Sequence, residues 1–204
     1  MSCTKPIIVP NPTKPTSLKD LINKYKKSLK PKSVQEKTLY DDLNEVLALK
    51  GNCSQEAFLR RCVCNRKRHQ WCLANIAVDG AVKKLLANLS VTSSAFPNFE
   101  NLYDTIFDTI GKGPTGISYC TVYDTSARFG WSLSPQLVPV DYVYVHKKLI
   151  QSARHILGKN TKLINHCRIE RVRFDKLEPA FKQLNALEIE DFLCVCHDDI
   201  MNLP

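Results

Sequence analysis

Gly111, Gly113 and Gly116, in the stretch DTIGKGPTGISYC from Asp108 to Cys120, spell G-x-G-x-x-G around Lys112. That spacing can bring backbone amides and one cation up to a phosphate. Three structures share the spelling: the phosphate loop of a dinucleotide fold, the hairpin between two helices of a nucleic-acid binder, and a glycine-rich turn without a ligand. A dinucleotide fingerprint follows a buried strand, with an acidic residue about 20 positions further on. Here the preceding apolar residues fall at 99, 102, 103, 106, 107 and 110, which is the period of a helix. A phosphate loop of the Walker type carries Ser or Thr after its lysine, and Lys112 is followed by Gly113. Both nucleotide readings fail on context, and the helical hairpin fits it. In a hairpin, Gly111 is the left-handed residue that closes the first helix, Gly113 caps the second and Pro114 is its first residue. The amides of Thr115, Gly116 and Ile117 then point at an anion from the positive end of the helix dipole. The expected phosphate-contacting residues are Gly111, Lys112, Gly113, Thr115 and Gly116.

Other residues offer chemistry at less informative spacings. Cys62, Cys64, His69 and Cys72 stand close together, but C-x-C-x4-H-x2-C is not the pair of separated knuckles of a structural zinc site. Buried free cysteines are expected there, with no metal and no cofactor anywhere in the chain. Asp124 and Arg128 are spaced for a salt bridge along one helix, and Tyr123, His69 and His146 are candidates to join them. Such a cluster is a structural network or an active site according to its geometry, so Asp124, His69 and His146 are candidate catalytic residues. Arg60, Arg61, Arg66, Lys67 and Arg68 make either a phosphate-contacting patch or a solvated face. Glu190, Asp191, His197, Asp198 and Asp199 read as the charged side of a final helix.

The elements that would position these groups are helical. Four prolines within residues 1–17 make an extended arm, and Ser17 then caps a helix that Pro31 stops. A second helix is expected from a Ser33–Glu36 capping box to Gly51, a third from Ser54, and a fourth from about Arg66 to Leu89. A helix from about Asn98 to Ile110 and another from Pro114 to Gly130 flank the glycines. The stretch SLSPQLVP is a linker, DYVYV is either a short extended piece or the start of a helix, CRIERVRF alternates like a brief strand, and two helices end the chain. The predicted class is all-α: a basic, proline-rich arm over 1–17 and a single helical domain over 18–204, with a helix-hairpin-helix at about 98–130.

Charge and cysteine content bound the function. The chain of 204 residues carries a net charge of +9, and nine lysines against Asp20 and Glu36 concentrate it in the first 40 residues. That balance favours an anionic partner, nucleic acid before a membrane surface. Nine scattered cysteines, no signal-peptide core and no apolar run of membrane length indicate reduced thiols in a cytoplasmic protein without membrane association.

The run Ile110, Gly111, Gly113, Pro114, with Ile117 beside the small-residue position, resembles the helix-hairpin-helix motif of DNA repair and recombination proteins. It departs from that motif at Lys112, where a hydrophobic residue is usual. Phe129-Gly130, the loop to Pro139 and VDYVYVHKKL are also similar in order to helix-hairpin-helix DNA glycosylases, over roughly residues 99–158. That resemblance implies that Asp141 supports glycosidic-bond cleavage. Thr115 stands where lyase-type members carry lysine, and Cys167, Cys194 and Cys196 do not reproduce the iron–sulfur pattern of some members. In wording the chain resembles more closely a group of bacterial proteins of unassigned role, through His69-Gln70, Tyr123-Asp124, Arg128, Gly130, Tyr144, His146, Glu190-Asp191 and Cys194. The leading expectation is sequence-independent binding of a nucleic-acid backbone, DNA first. A glycosylase-like enzyme acting on a nucleobase or nucleotide is the alternative, and a module binding an acidic protein is the third.

Overall fold

The first helix starts where the sequence puts it. The Ser17 hydroxyl accepts the Asp20 amide at 3.2 Å and opens α1 (Leu18–Ser28), a cap of a kind that contributes about 1 kcal/mol. A computed structural model describes this helix and the rest of residues 17–29, 38–64, 73–89, 95–112, 117–158 and 161–204. The arm over 1–16 and Pro31, Ser33 and Glu36 lie outside the described residues. α2 (Leu39–Leu49) is capped not by Ser33 but by Thr38, in a reciprocal box with Asp41. α3 (Gln55–Val63) begins at its expected cap, Ser54. α4 (Asn75–Asn88) starts later than Arg66, after Ala74, with no side-chain cap.

α5 (Phe99–Ile106), capped by Asn98, continues as a π-turn over Phe107–Gly111. Its apolar stripe of Phe99, Leu102, Tyr103 and Ile106 is buried, as the helical spacing requires. α6 (Tyr119–Trp131) follows and is buried continuously from Thr121 to Gly130. Such a helix is central, and its small hydroxyls satisfy themselves: Thr125 donates to the Thr121 carbonyl and Ser126 to that of Val122. Gly130 lets the following segment dock, since a Cβ there would stand 2.2 Å from the Leu137 carbonyl oxygen.

The all-α expectation needs correction, because the chain is mostly helical but carries a small antiparallel sheet. β1 (Tyr142–Val145), β2 (Ile164–His166) and β3 (Ile169–Arg173) are ordered β1–β3–β2, with Tyr144 opposite Arg171 and His166 opposite Ile169. The two alternating stretches, rich in β-branched and aromatic residues, pair with each other instead of standing as isolated extended pieces. Cys167 (φ 47°) and Arg168 (φ 63°) form a two-residue link between β2 and β3, the left-handed geometry that suits strand twist. α7 (Ile150–Leu157), α8 (Ala186–Val195) and α9 (His197–Met201) are the remaining α-helices among the described residues.

The sheet divides two apolar clusters. Tyr144 and Ile169 face one, built from α2 to α6, while Val143, Val145 and Val172 face the other, built from α1 and α7 to α9. Period-two alternation in strands buried on both faces thus ties the two halves of the core together. Among the described residues no helix is long and apolar enough to cross a membrane.

Candidate functional site

The glycine-rich connection follows a different logic from the one its spelling suggests. Gly111 has no left-handed backbone. It lies inside the π-turn and is glycine for space: a Cβ would stand 2.6 Å from the Phe107 ring and 3.2 Å from Val122 Cγ2. The residue therefore permits close packing of the turn on α6. That helix does not begin at Pro114. Its cap is Ser118, whose hydroxyl accepts the Thr121 amide at 3.2 Å, so the first-turn donors belong to residues after 118. Gly113, Thr115 and Gly116 lie outside the described residues. Lys112 is exposed and pairs with Asp108 at 2.6 Å, a surface contact worth little and easily exchanged.

The β2–β3 turn packs beside this connection. Exposed Arg168 donates from Nη1 to the Tyr119 hydroxyl at 2.9 Å and lies 5.8 Å from the centre of that ring. Next to it, burial and the Asp104 carboxylate push the Cys167 thiol up to about 11, against a pull from the Lys112 charge. Arg168 and Tyr119 thus meet on one surface, and the Lys112 charge reaches the same turn through Cys167.

A second, buried polar group surrounds α6. Arg128 donates from Nε to Asp42 Oδ2 at 2.8 Å and from Nη1 to the Cys62 carbonyl at 3.0 Å, with both charged side chains almost wholly covered. The arginine expected to serve Asp124 therefore also locks α6 to α2 and α3. Asp124 is buried, and the Cys120 thiol lies 3.8 Å from its Oδ2. Burial first, then Asp124 and Glu190, holds that thiol far above its usual range and thus protonated. On α8, Glu190 is buried and its Oε1 stands 3.6 Å from His146 Nε2, at the end of β1. Neighbouring Asp191 is also buried and accepts the Tyr25 hydroxyl at 2.8 Å. Glu190 and Asp191 are therefore not the solvated face of a last helix.

Tyr123 completes the group. Its hydroxyl is raised by burial and then by the charges of Glu190 and Asp124. The structure brings Asp124 and His146 around Glu190, and the sequence signal for it was present: α8 is apolar on nearly all sides, so its acids have no wet face to occupy. Asp141 does not join them. It is exposed at the opposite end of β1, roughly 16 Å from His146 at 3.3 Å per residue. His69 lies outside the described residues, as do Cys72, Arg66, Lys67 and Arg68.

Cys62 and Cys64 are buried and in no disulfide. Arg60 pairs with Asp79 at 2.6 Å and Arg61 with Glu45, so these two brace α3 against α4 and α2 instead of forming an open cationic patch. Comparison with known proteins finds no matching family, no similar curated protein and no similar solved structure.

Proposed function

We propose that the chain binds the phosphodiester backbone of nucleic acid, DNA first, without reading base sequence, at the surface where Lys112 meets the β2–β3 turn. Arg168 carries this reading. A guanidinium has five donors in a fixed fork, and the bond to Tyr119 orients it on an exposed turn while using only one of them. The Lys112 charge reaches the same turn at Cys167, its ammonium is able to trade Asp108 for a phosphate, and the net charge of +9 supplies long-range attraction. Contacts of this type position a backbone and carry no sequence information.

Fluorescence anisotropy with labelled duplexes of unrelated sequence, over a series of salt concentrations, tests this. Dissociation constants on the order of 10⁻⁴ to 10⁻⁶ M at physiological salt are expected, equal across sequences. Arg168→Ala and Lys112→Ala should each flatten log K against log salt by about 0.9. Wild-type affinity and slope in both folded variants would overturn the assignment.

The grouping of Asp124, Glu190 and His146 favours one second reading, an enzyme that processes a nucleobase or nucleotide with a carboxylate-oriented imidazole.

A further inference from the structure

We propose that Asp104, His166 and Cys167 form a binding site for a divalent transition-metal ion of the zinc class. The ligand atoms of the three residues all lie within 4.8 Å of one another. Asp104 comes from α5, and the other two come from the end of β2 and the turn after it, so the site joins elements 62 residues apart in sequence.

The geometry suits coordination. His166 Nε2 is 2.7 Å and Cys167 Sγ 3.4 Å from the same oxygen, Asp104 Oδ1. Tetrahedral zinc with ordinary bond lengths would set those two edges at about 3.4 and 3.6 Å. A cation therefore needs the imidazole to retreat by a fraction of an ångström and the thiol to stay almost where it is. Two polar hydrogens now converge on one carboxylate oxygen, and a cation placed between the three groups replaces both. On binding, the thiol proton leaves to solvent and the His166 proton passes by way of solvent from Nε2 to Nδ1, so the ion meets a thiolate, a neutral imidazole and a carboxylate. One soft, one borderline and one hard donor is a zinc-type set, unlike the all-oxygen shells of magnesium or calcium.

Tyr103 gives an independent indication. Its side chain is fully buried, and its hydroxyl has no hydrogen-bond partner among the described residues. A buried hydroxyl without a partner is destabilising, since it gives up water and gains nothing in return. The Tyr103 ring lies against that of His166, with centroids 5.9 Å apart, so the orphan group belongs to a side chain packed on the triad, where a water completing the metal's coordination would give it a partner. Three protein ligands with one open position is the arrangement of reactive zinc sites, whereas structural sites are closed by four. Asp104 and His166 are partly exposed, which provides an entry path. The backbone also holds Cys167 in place at a cost, since left-handed conformation is unfavourable for a side chain other than Gly, Asn or Asp.

Cobalt(II) is the probe. The full-length protein, stripped with a chelator and dialysed, is titrated with cobalt and followed by absorbance, and zinc is then added in competition. A thiolate-to-cobalt charge-transfer band saturating at one ion per chain, and removed by zinc, is the expected result. Cys167→Ser should abolish that band, and Asp104→Asn should weaken binding by more than about 100-fold, more than loss of an outer-shell partner does. Tyr103→Phe should weaken it by about 10-fold. A band that persists in Cys167→Ser belongs to another of the nine cysteines and overturns the assignment, as does the absence of any band in the wild type. If the serine variant does not fold, the test rests on Asp104→Asn at a partly exposed position, and unchanged affinity there is equally decisive. None of these readouts involves nucleic acid, so the metal site and the binding surface stand or fall separately.

Discussion

Arg128 on α6 and Asp42 on α2, 86 residues apart in sequence, are joined at 2.8 Å with side chains only 3% and 4% exposed. Two charges withdrawn from water this completely hold each other in place more than they stabilise the fold. The second oxygen of Asp42 is buried with no partner among the described residues, so the carboxylate is not fully compensated. Removing the arginine leaves the Asp42 carboxylate buried and uncompensated. Arg128→Met should therefore lower the unfolding free energy by about 3–5 kcal/mol in urea titrations. The double variant Asp42→Leu with Arg128→Met should recover most of that loss, because neither charge is then buried. A loss under about 1 kcal/mol, or a double variant as unstable as the sum of the singles, would contradict the buried-pair reading.

Tyr40 leads to an alkaline prediction. Its hydroxyl donates to Glu188 Oε1 at 2.8 Å and accepts from Asn185 at 3.0 Å, linking α2 to the start of α8. Burial and the Glu188 carboxylate raise its pKa from 10.0 to about 12, and burial raises Cys196 from 9.0 to about 12. Both groups are neutral acids whose folded pKa exceeds the unfolded value. Their contribution to stability is complete below the unfolded pKa values and is lost as pH rises through the folded ones. Denaturation midpoints should fall between about pH 9 and about pH 12, and Tyr40→Phe should make that fall shallower. An identical pH profile in the phenylalanine variant would show that Tyr40 ionises equally in both states.

What could be read from the chain divides by range. The caps at Ser17 and Ser54 and the stripe from Phe99 to Ile106 are local patterns and sit where their spacing put them. Gly111 was legible as a necessary glycine but not for its reason, since glycine offers both a left-handed backbone and room for a neighbour, and the fold uses the second. The i, i+4 spacing points from Arg128 to Asp124, and no local rule points from it to Asp42. The same limit hid Asp104, His166 and Cys167, which meet only because the β2–β3 turn folds back on α5. β3 was visible as alternation and β1 as one of two readings, but β2 carried no such signal, and its pairing depends on a turn formed by Cys167 and Arg168 rather than by Asn-Gly or Asp-Gly.

Glu190 and His146 decide between binding alone and binding with chemistry. Both side chains are about one-tenth exposed and 3.6 Å apart, so the carboxylate can orient the imidazole. If the chain processes a nucleobase or nucleotide, Glu190→Gln should reduce product release by about 10²- to 10⁴-fold while anisotropy with DNA stays unchanged. Asp141→Asn should leave the same rate untouched, because Asp141 is exposed at the far end of β1. The glycosylase resemblance requires the opposite pattern, with activity lost at Asp141 and retained at Glu190. Thr115 offers no amine for a Schiff base and exposed Lys112 is paired with Asp108, so borohydride should trap no adduct on abasic-site DNA. An adduct that disappears when Lys112 is replaced would move the chemistry to the glycine-rich connection and take it away from α8.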